Sequence, residues 1–91
     1  MKLEEYREKI DTVDEKLVAL FAERMELSHA IAEYKKENGL PVLDASREKE
    51  KLDRVAEQLP EELREYTRRL YTMLFELSRD YQRELIGKER G

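Results

Sequence analysis

The sequence predicts an all-α fold of three helices per chain: a long first helix, a short second and a medium-long third. Three observations carry this. Apolar residues recur at helical spacing along nearly the whole chain. The helix breakers gather near residues 40 and 60 and at the C-terminus. Charged residues make up 44% of the 91 positions, and Gly and Pro together number only five, which is the composition of a helical bundle.

The first helix is read from Leu3, Tyr6, Ile10, Val13, Leu17, Leu20, Arg24, Leu27, Ile31 and Tyr34. The steps alternate three and four throughout, the seam of a helix that packs against other helices. No Pro or Gly interrupts it before Gly39. A helix from Glu4 to Glu37 is ~50 Å long at 1.5 Å per residue, whereas a compact globule of this chain length is only ~30 Å across. The helix therefore overhangs any fold one chain can make. Its overhang still carries seam residues, so it needs a partner, most simply an antiparallel second copy. Arg24 is a permanent cation at a seam position.

Asn38-Gly39 ends the first helix, with Pro41 two residues on. Leu40 to Leu43 is too short for an independent strand and reads as an extended connector. Asp44 or Ser46 can cap the second helix, whose apolar stripe is Leu52, Val55, Ala56 and Leu59. Pro60 stops it. Pro60-Glu61-Glu62 starts the third helix, with acidic residues where the helix dipole favours them. Leu63, Tyr66, Leu70, Met73, Leu74, Leu77, Tyr81 and Leu85 form a stripe broad enough to pack on two neighbours at once. Gly87 to Gly91 is expected to fray. With no repeat, linker or low-complexity segment, residues 1–91 read as a single domain.

Composition narrows the function. Net charge is −4, with basic and acidic residues interleaved, so no basic tract points to nucleic acid. There is no cysteine, which excludes disulfides, thiolate nucleophiles and Cys-bound metals. The single histidine, His29, cannot make a metal site alone and reads as a solvent-facing helix residue. The N-terminus has no apolar core of a signal peptide, and no apolar run reaches membrane-spanning length. The expectation is a soluble, cytoplasmic protein.

The polar residues on inward faces are more informative. Arg24 and Lys35 are 11 residues apart, three turns plus about 20°, and so share a face ~16 Å apart along the axis. Ser28 and Ile31 lie between them, leaving room for a small anion. On these two residues alone the plainer reading weighs more: Arg24 sets the register and Lys35 snorkels to water. Ser78 and Gln82, at i and i+4, flank the third helix's stripe and can hydrogen-bond inward, yet by themselves are ordinary surface residues. Asp44, Arg47 and Glu48 surround the start of the second helix, where a cap and a surface ion pair account for them. The five tyrosines fall on or beside the stripes and read as core. Arg7 lies ~25 Å before Arg24 along the helix. In an antiparallel pair with its two-fold near residue 18, Arg7 of one chain comes opposite residues 28 to 31 of the other.

Taken together, these residues resemble the all-helical class of chorismate mutase. The resemblance runs from about Leu3 to Leu85 and has five parts: Tyr6-Arg7-Glu8-Lys9-Ile10-Asp11 with Val13-Asp14; Leu20-Phe21-Ala22-Glu23-Arg24 with Tyr34-Lys35; Gly39-Leu40-Pro41-Val42; Asp44-Ala45-Ser46-Arg47-Glu48; and Ser78-Arg79-Asp80-Tyr81-Gln82. Each is weak alone. In this order and at these separations they are specific. The resemblance implies an intertwined antiparallel homodimer with two active sites. It implies roles for Arg7 from the neighbouring chain and for Arg24, Lys35, Asp44, Arg47, Glu48, Ser78 and Gln82. The substrate implied is chorismate, rearranged to prephenate in phenylalanine and tyrosine biosynthesis. The end of the chain soon after the third helix speaks against fusion to a prephenate-processing or regulatory domain, unless the chain is an excised fragment.

That chemistry suits the inventory. The rearrangement is intramolecular and pericyclic, and needs no nucleophile, metal, cofactor or proton transfer. The substrate carries two carboxylates, so several cations must converge. By the resemblance, Lys35 and Gln82 donate to the ether oxygen, which gains negative charge as its C–O bond breaks. Arg7, Arg24 and Ser78 hold carboxylates, with Arg47 nearby. Glu48, helped by the Asp44 region, binds the substrate's hydroxyl. Two other readings compete: a non-enzymatic helical dimerisation or adaptor module, and a weak relative activated by a partner enzyme. An adaptor does not need Arg7, Arg24, Lys35 and Gln82 to face one cavity.

Overall fold

A computed structural model describes residues 2–90, with side chains through residue 87. Three helices follow in order: α1 (Leu3–Glu37), α2 (Ala45–Glu57) and α3 (Glu61–Arg90), with no strand among the described residues. None of these helices is long and apolar enough to cross a membrane.

The helix ends follow local chemistry. At the end of α1, Gly39 takes φ 63°, a left-handed conformation that costs glycine little. The Gly39 N–H donates to the Lys36 carbonyl at 3.3 Å and the Leu40 N–H to the Lys35 carbonyl at 2.8 Å. These two bonds satisfy carbonyls that the helix itself leaves open. Asp44 caps α2, its carboxylate accepting from the Arg47 backbone N–H at 3.1 Å. Glu61 and Glu62 occupy the first turn of α3. That helix runs on to Arg90, past the fraying expected from Gly87. Gly87 keeps an ordinary helical φ, and one glycine costs a helix only ~1 kcal/mol. Gly91 lies outside the described residues.

α3 is the hub. It packs on both α1 and α2, which do not pack on each other. The buried residues are few and mostly small: Ser28 and Ala32 on α1, Val55 and Ala56 on α2, Thr67, Phe75 and Gln82 on α3. Small side chains at a crossing let helix axes approach closely.

Within one chain the apolar stripes are only partly used. Most of the heptad seam of α1 does not meet α3, although Arg24, one of its positions, stands over Phe75. Ser28 and Ala32 meet α3, while Leu3, Val13, Leu20, Leu27 and Tyr34 are all more than half exposed. On α3 the apolar stripe is only partly used: Phe75 is buried and Leu74, Tyr81 and Leu85 are half-buried, but Leu63, Tyr66, Leu70, Met73 and Leu77 are exposed. Tyr6, Tyr34 and Tyr66, expected in the core, are likewise exposed. The physical reason is geometric. One chain offers α1 a neighbour along only part of its length, and residues 2 to 23 are exposed throughout. The radius of gyration is 16.5 Å, against about 12 Å for a compact chain of this length. The molecule measures 54 × 26 × 14 Å, so α1 overhangs as its length predicts.

Candidate active site

Where the start of α2 comes over the crossing of α1 and α3, the three helices enclose a cavity of about 290 Å³. Seven of the eight expected residues line it: Arg24 and Lys35 from α1, Asp44, Arg47 and Glu48 from the start of α2, and Ser78 and Gln82 from α3. Arg7 does not. It lies exposed near the free end of α1, ion-paired with Glu4 at 3.3 Å.

Each side chain has a local reason for its position. Arg24 is half-buried, and its guanidinium carbon stands 5.8 Å from the centroid of the Phe75 ring. The ring face favours a cation there. Lys35 does not snorkel to water. Its Nζ donates to the Val42 carbonyl at 2.6 Å, tying the last turn of α1 to the connector. Ile31 lines the cavity between them, and Ser28 is buried beneath.

On α3, Phe75, Ser78, Arg79 and Gln82 are spaced i, i+3, i+4, i+7 and share one face. The Ser28 and Ser78 hydroxyls are hydrogen-bonded to each other, and Gln82 Nε2 donates to Ser78 Oγ at 3.2 Å. Gln82 is 5% exposed, and its Oε1 is buried with no protein partner. An unpaired buried acceptor costs ~1–3 kcal/mol. A hydroxyl both donates and accepts, so Ser78 can hold the amide in either orientation. Turned over, the amide takes a bond from Ser78 on Oε1 and frees its NH₂ for a ligand. Ser78 and Gln82 are therefore not ordinary surface residues.

At the start of α2, the Arg47 backbone N–H and then the Ser46 hydroxyl hold Asp44 below the usual carboxylate range, with the Lys35 and Arg47 charges adding to the effect. Arg47 itself is exposed, 3.8 Å from Glu50. Glu48 has no surface ion pair with Arg47. Both its carboxylate oxygens accept from Nη1 of Arg79, across from α3. That hydrogen bond raises the Arg79 guanidinium above its ordinary pKa.

Arg79, Lys51, Val42 and Phe75 also line the cavity, and sequence reasoning assigned them no role. For Arg79 the signal was available, since it sits three residues before Gln82 on the same helix face. Five cations (Arg24, Lys35, Arg47, Lys51, Arg79) thus face two anions (Asp44, Glu48), although the chain as a whole carries −4. Convergence of cations in a partly closed space is what a small polyanion requires. No group of three or more His, Asp or Glu that could hold a metal ion occurs among the described residues. His29 is half-buried rather than fully solvent-facing, 3.2 Å from Glu33 and edge-on to Tyr81, away from this cavity.

Comparison with known proteins shows the family. The family model for chorismate mutase type II matches residues 6–83. A chorismate mutase of Methanocaldococcus jannaschii is 46% identical over 54 residues, which cover 59% of this chain and 54% of that protein. The chain thus spans about half the length of this relative. The family match takes in all three helices and every residue expected at the site, Arg7 included, and on that extent the chain belongs to the chorismate mutase type II family.

Proposed function

We propose that the chain is a chorismate mutase of phenylalanine and tyrosine biosynthesis, with residues 1–91 forming one catalytic domain. The observation that carries this reading is the gathering of Arg24, Lys35, Arg47, Ser78 and Gln82 around one cavity. About 290 Å³ is at the small end of ligand pockets and suits a folded conformer of a small dicarboxylate.

Catalysis comes from two sources. Arg24 and Ser78, with Arg47 nearby, hold the carboxylates so that the reacting ends of the substrate meet. Lys35 and Gln82 donate to the ether oxygen as its C–O bond breaks and it gains negative charge. Glu48, with the Asp44 region, accepts from the ring hydroxyl. No step in this account requires a metal or a cofactor. The expected compartment is the cytoplasm.

The assembly is an intertwined antiparallel homodimer in which Arg7 of one protomer completes the other's site. Two features support it. The apolar seam residues of α1 are exposed from Leu3 to Tyr34. Leu17 and Leu20 also border an open apolar trough of about 440 Å³ with Leu70 and Leu74 of α3, close to the proposed two-fold near residue 18.

Two measurements test this. Purified protein is expected to deplete chorismate with prephenate as the product. Absence of turnover would instead leave a helical dimerisation module or a relative that needs a partner enzyme. Light scattering after size exclusion is expected to give about twice the 11.0 kDa chain mass. A folded, fully active monomer at micromolar concentration would rule out the shared site.

A further inference from the structure

We infer that Arg79 is a positioning residue of this site: it holds the Glu48 carboxylate as a fixed acceptor for the ring hydroxyl of the substrate. The inference rests on the mutase reading above.

The geometry supports it first. Glu48 lies in the first turn of α2. Its backbone is set by the cap, with its N–H donating to the Asp44 carbonyl at 3.1 Å, but its side chain has several free torsions. Arg79 removes that freedom by taking both carboxylate oxygens on one nitrogen. The two side chains are equally shielded, each 24% exposed, and both line the cavity. A carboxylate has about four lone-pair sites, so the contact with Arg79 leaves lone pairs to accept a hydroxyl.

Charge supports it independently. A site for a dicarboxylate is a poor place for an unpaired carboxylate, because like charges repel most strongly where water is excluded. Paired with Arg79, Glu48 keeps its acceptor oxygens while its charge is largely cancelled. The same pairing separates Arg79 from Arg24 and Arg47, whose guanidinium groups have no carboxylate partner across the cavity. Arg79 is occupied by Glu48 and is not proposed to bind a substrate carboxylate. Without it, Glu48 has another cation to turn to: Lys51, one turn further along α2 and also on the cavity wall.

The test uses the full chain with Arg79→Ala, Arg79→Lys, Glu48→Ala and the double variant Glu48→Ala/Arg79→Ala. A hydroxyl contact is made in the ground state and the transition state alike, so its loss raises KM and spares kcat. Arg79→Ala is expected to raise KM for chorismate by about 10- to 100-fold, the scale of one charge-assisted hydrogen bond, with kcat little changed. Arg79→Lys is expected to recover most of this, because a single nitrogen makes both contacts. In the Glu48→Ala background, removing Arg79 is expected to cost nothing further. A chorismate analogue with hydrogen in place of the ring hydroxyl is expected to inhibit Glu48→Ala and the double variant equally well, because neither presents an unpaired carboxylate to it.

Several outcomes overturn the inference. Additive losses in the double variant mean Arg79 acts independently of Glu48. Weaker binding of the hydroxyl-free analogue to the double variant than to Glu48→Ala means Arg79 holds a carboxylate directly. A parallel fall in kcat and Tm that lysine does not rescue means its role is to hold α2 on α3. An active wild type with any of these results overturns the role of Arg79 alone. A wild type with no turnover overturns the mutase reading, and this inference with it.

Discussion

Gln82→Glu is expected to lose on the order of 10²–10³ in kcat/KM at neutral pH and to recover much of it as the pH falls. The substitution preserves size and reach at a position that is 5% exposed. It changes the chemistry of the group offered to the ether oxygen. A neutral amide donates at any ordinary pH, and turned over, with the Ser78 hydroxyl donating to its Oε1, Gln82 presents its NH₂ to the ether oxygen. An ionised carboxylate cannot donate, and it repels the developing negative charge. Protonation restores a donor. Burial and the substrate's own carboxylates favour the protonated form, while Lys35 and Arg24 on the same cavity wall oppose it. The sign is therefore an acid-shifted optimum for Gln82→Glu. Gln82→Ala is expected to stay poor at every pH, because it has no proton to regain. The measurement is kcat/KM from about pH 4.5 to 8.5 for the three proteins. A Gln82→Glu profile that follows wild type at neutral pH would make Gln82 a structural residue of the helix face.

Arg7→Ala and Arg24→Ala are each expected to abolish most activity as homodimers, by on the order of 10²-fold, since each leaves a substrate carboxylate without its cation. Mixed together they are expected to recover. Arg7 is far from the cavity within its own chain, paired with Glu4 on the overhang of α1. In a dimer built on that overhang, one site of the mixed species lacks both arginines and the other has both. Random co-refolding makes about half of the dimers mixed, so recovery of roughly one quarter of wild-type activity is expected. The measurement is activity after co-refolding, beside an independent count of mixed dimers. Mixed dimers without recovered activity would show that Arg7 does not act across the two-fold.

The helices and their ends were legible because the forces that set them are local. Asn38-Gly39, Asp44 and Pro60 act within a few residues, and each terminates or caps as its chemistry requires. The shared face of Arg24 and Lys35, and that of Ser78 and Gln82, follow from 3.6 residues per turn. Periodicity put these residues on shared faces, but it was the family resemblance that made them a site. The plain readings of single residues failed where the partner lay outside the residue's own helix. Lys35 finds Val42, Glu48 finds Arg79 and Ser28 finds Ser78, and none of these pairings has a spacing rule.

The division runs along the range of the interactions. Helix number, order and boundaries, and the residue types that face inward together, are written in neighbours up to one or two turns apart. Which face of a helix meets which neighbour is not. The broad apolar stripes of α1 and α3 offer more than one packing surface, and the chain packs Ser28 and Ala32 against α3 while leaving the Leu3-to-Tyr34 seam open. Burial of Gln82 and Phe75 depends on that crossing, and closure of the Glu48–Arg79 ion pair on the packing of α2 on α3. Packing settles such choices because side-chain complementarity acts through space between segments tens of residues apart, where periodicity carries no information.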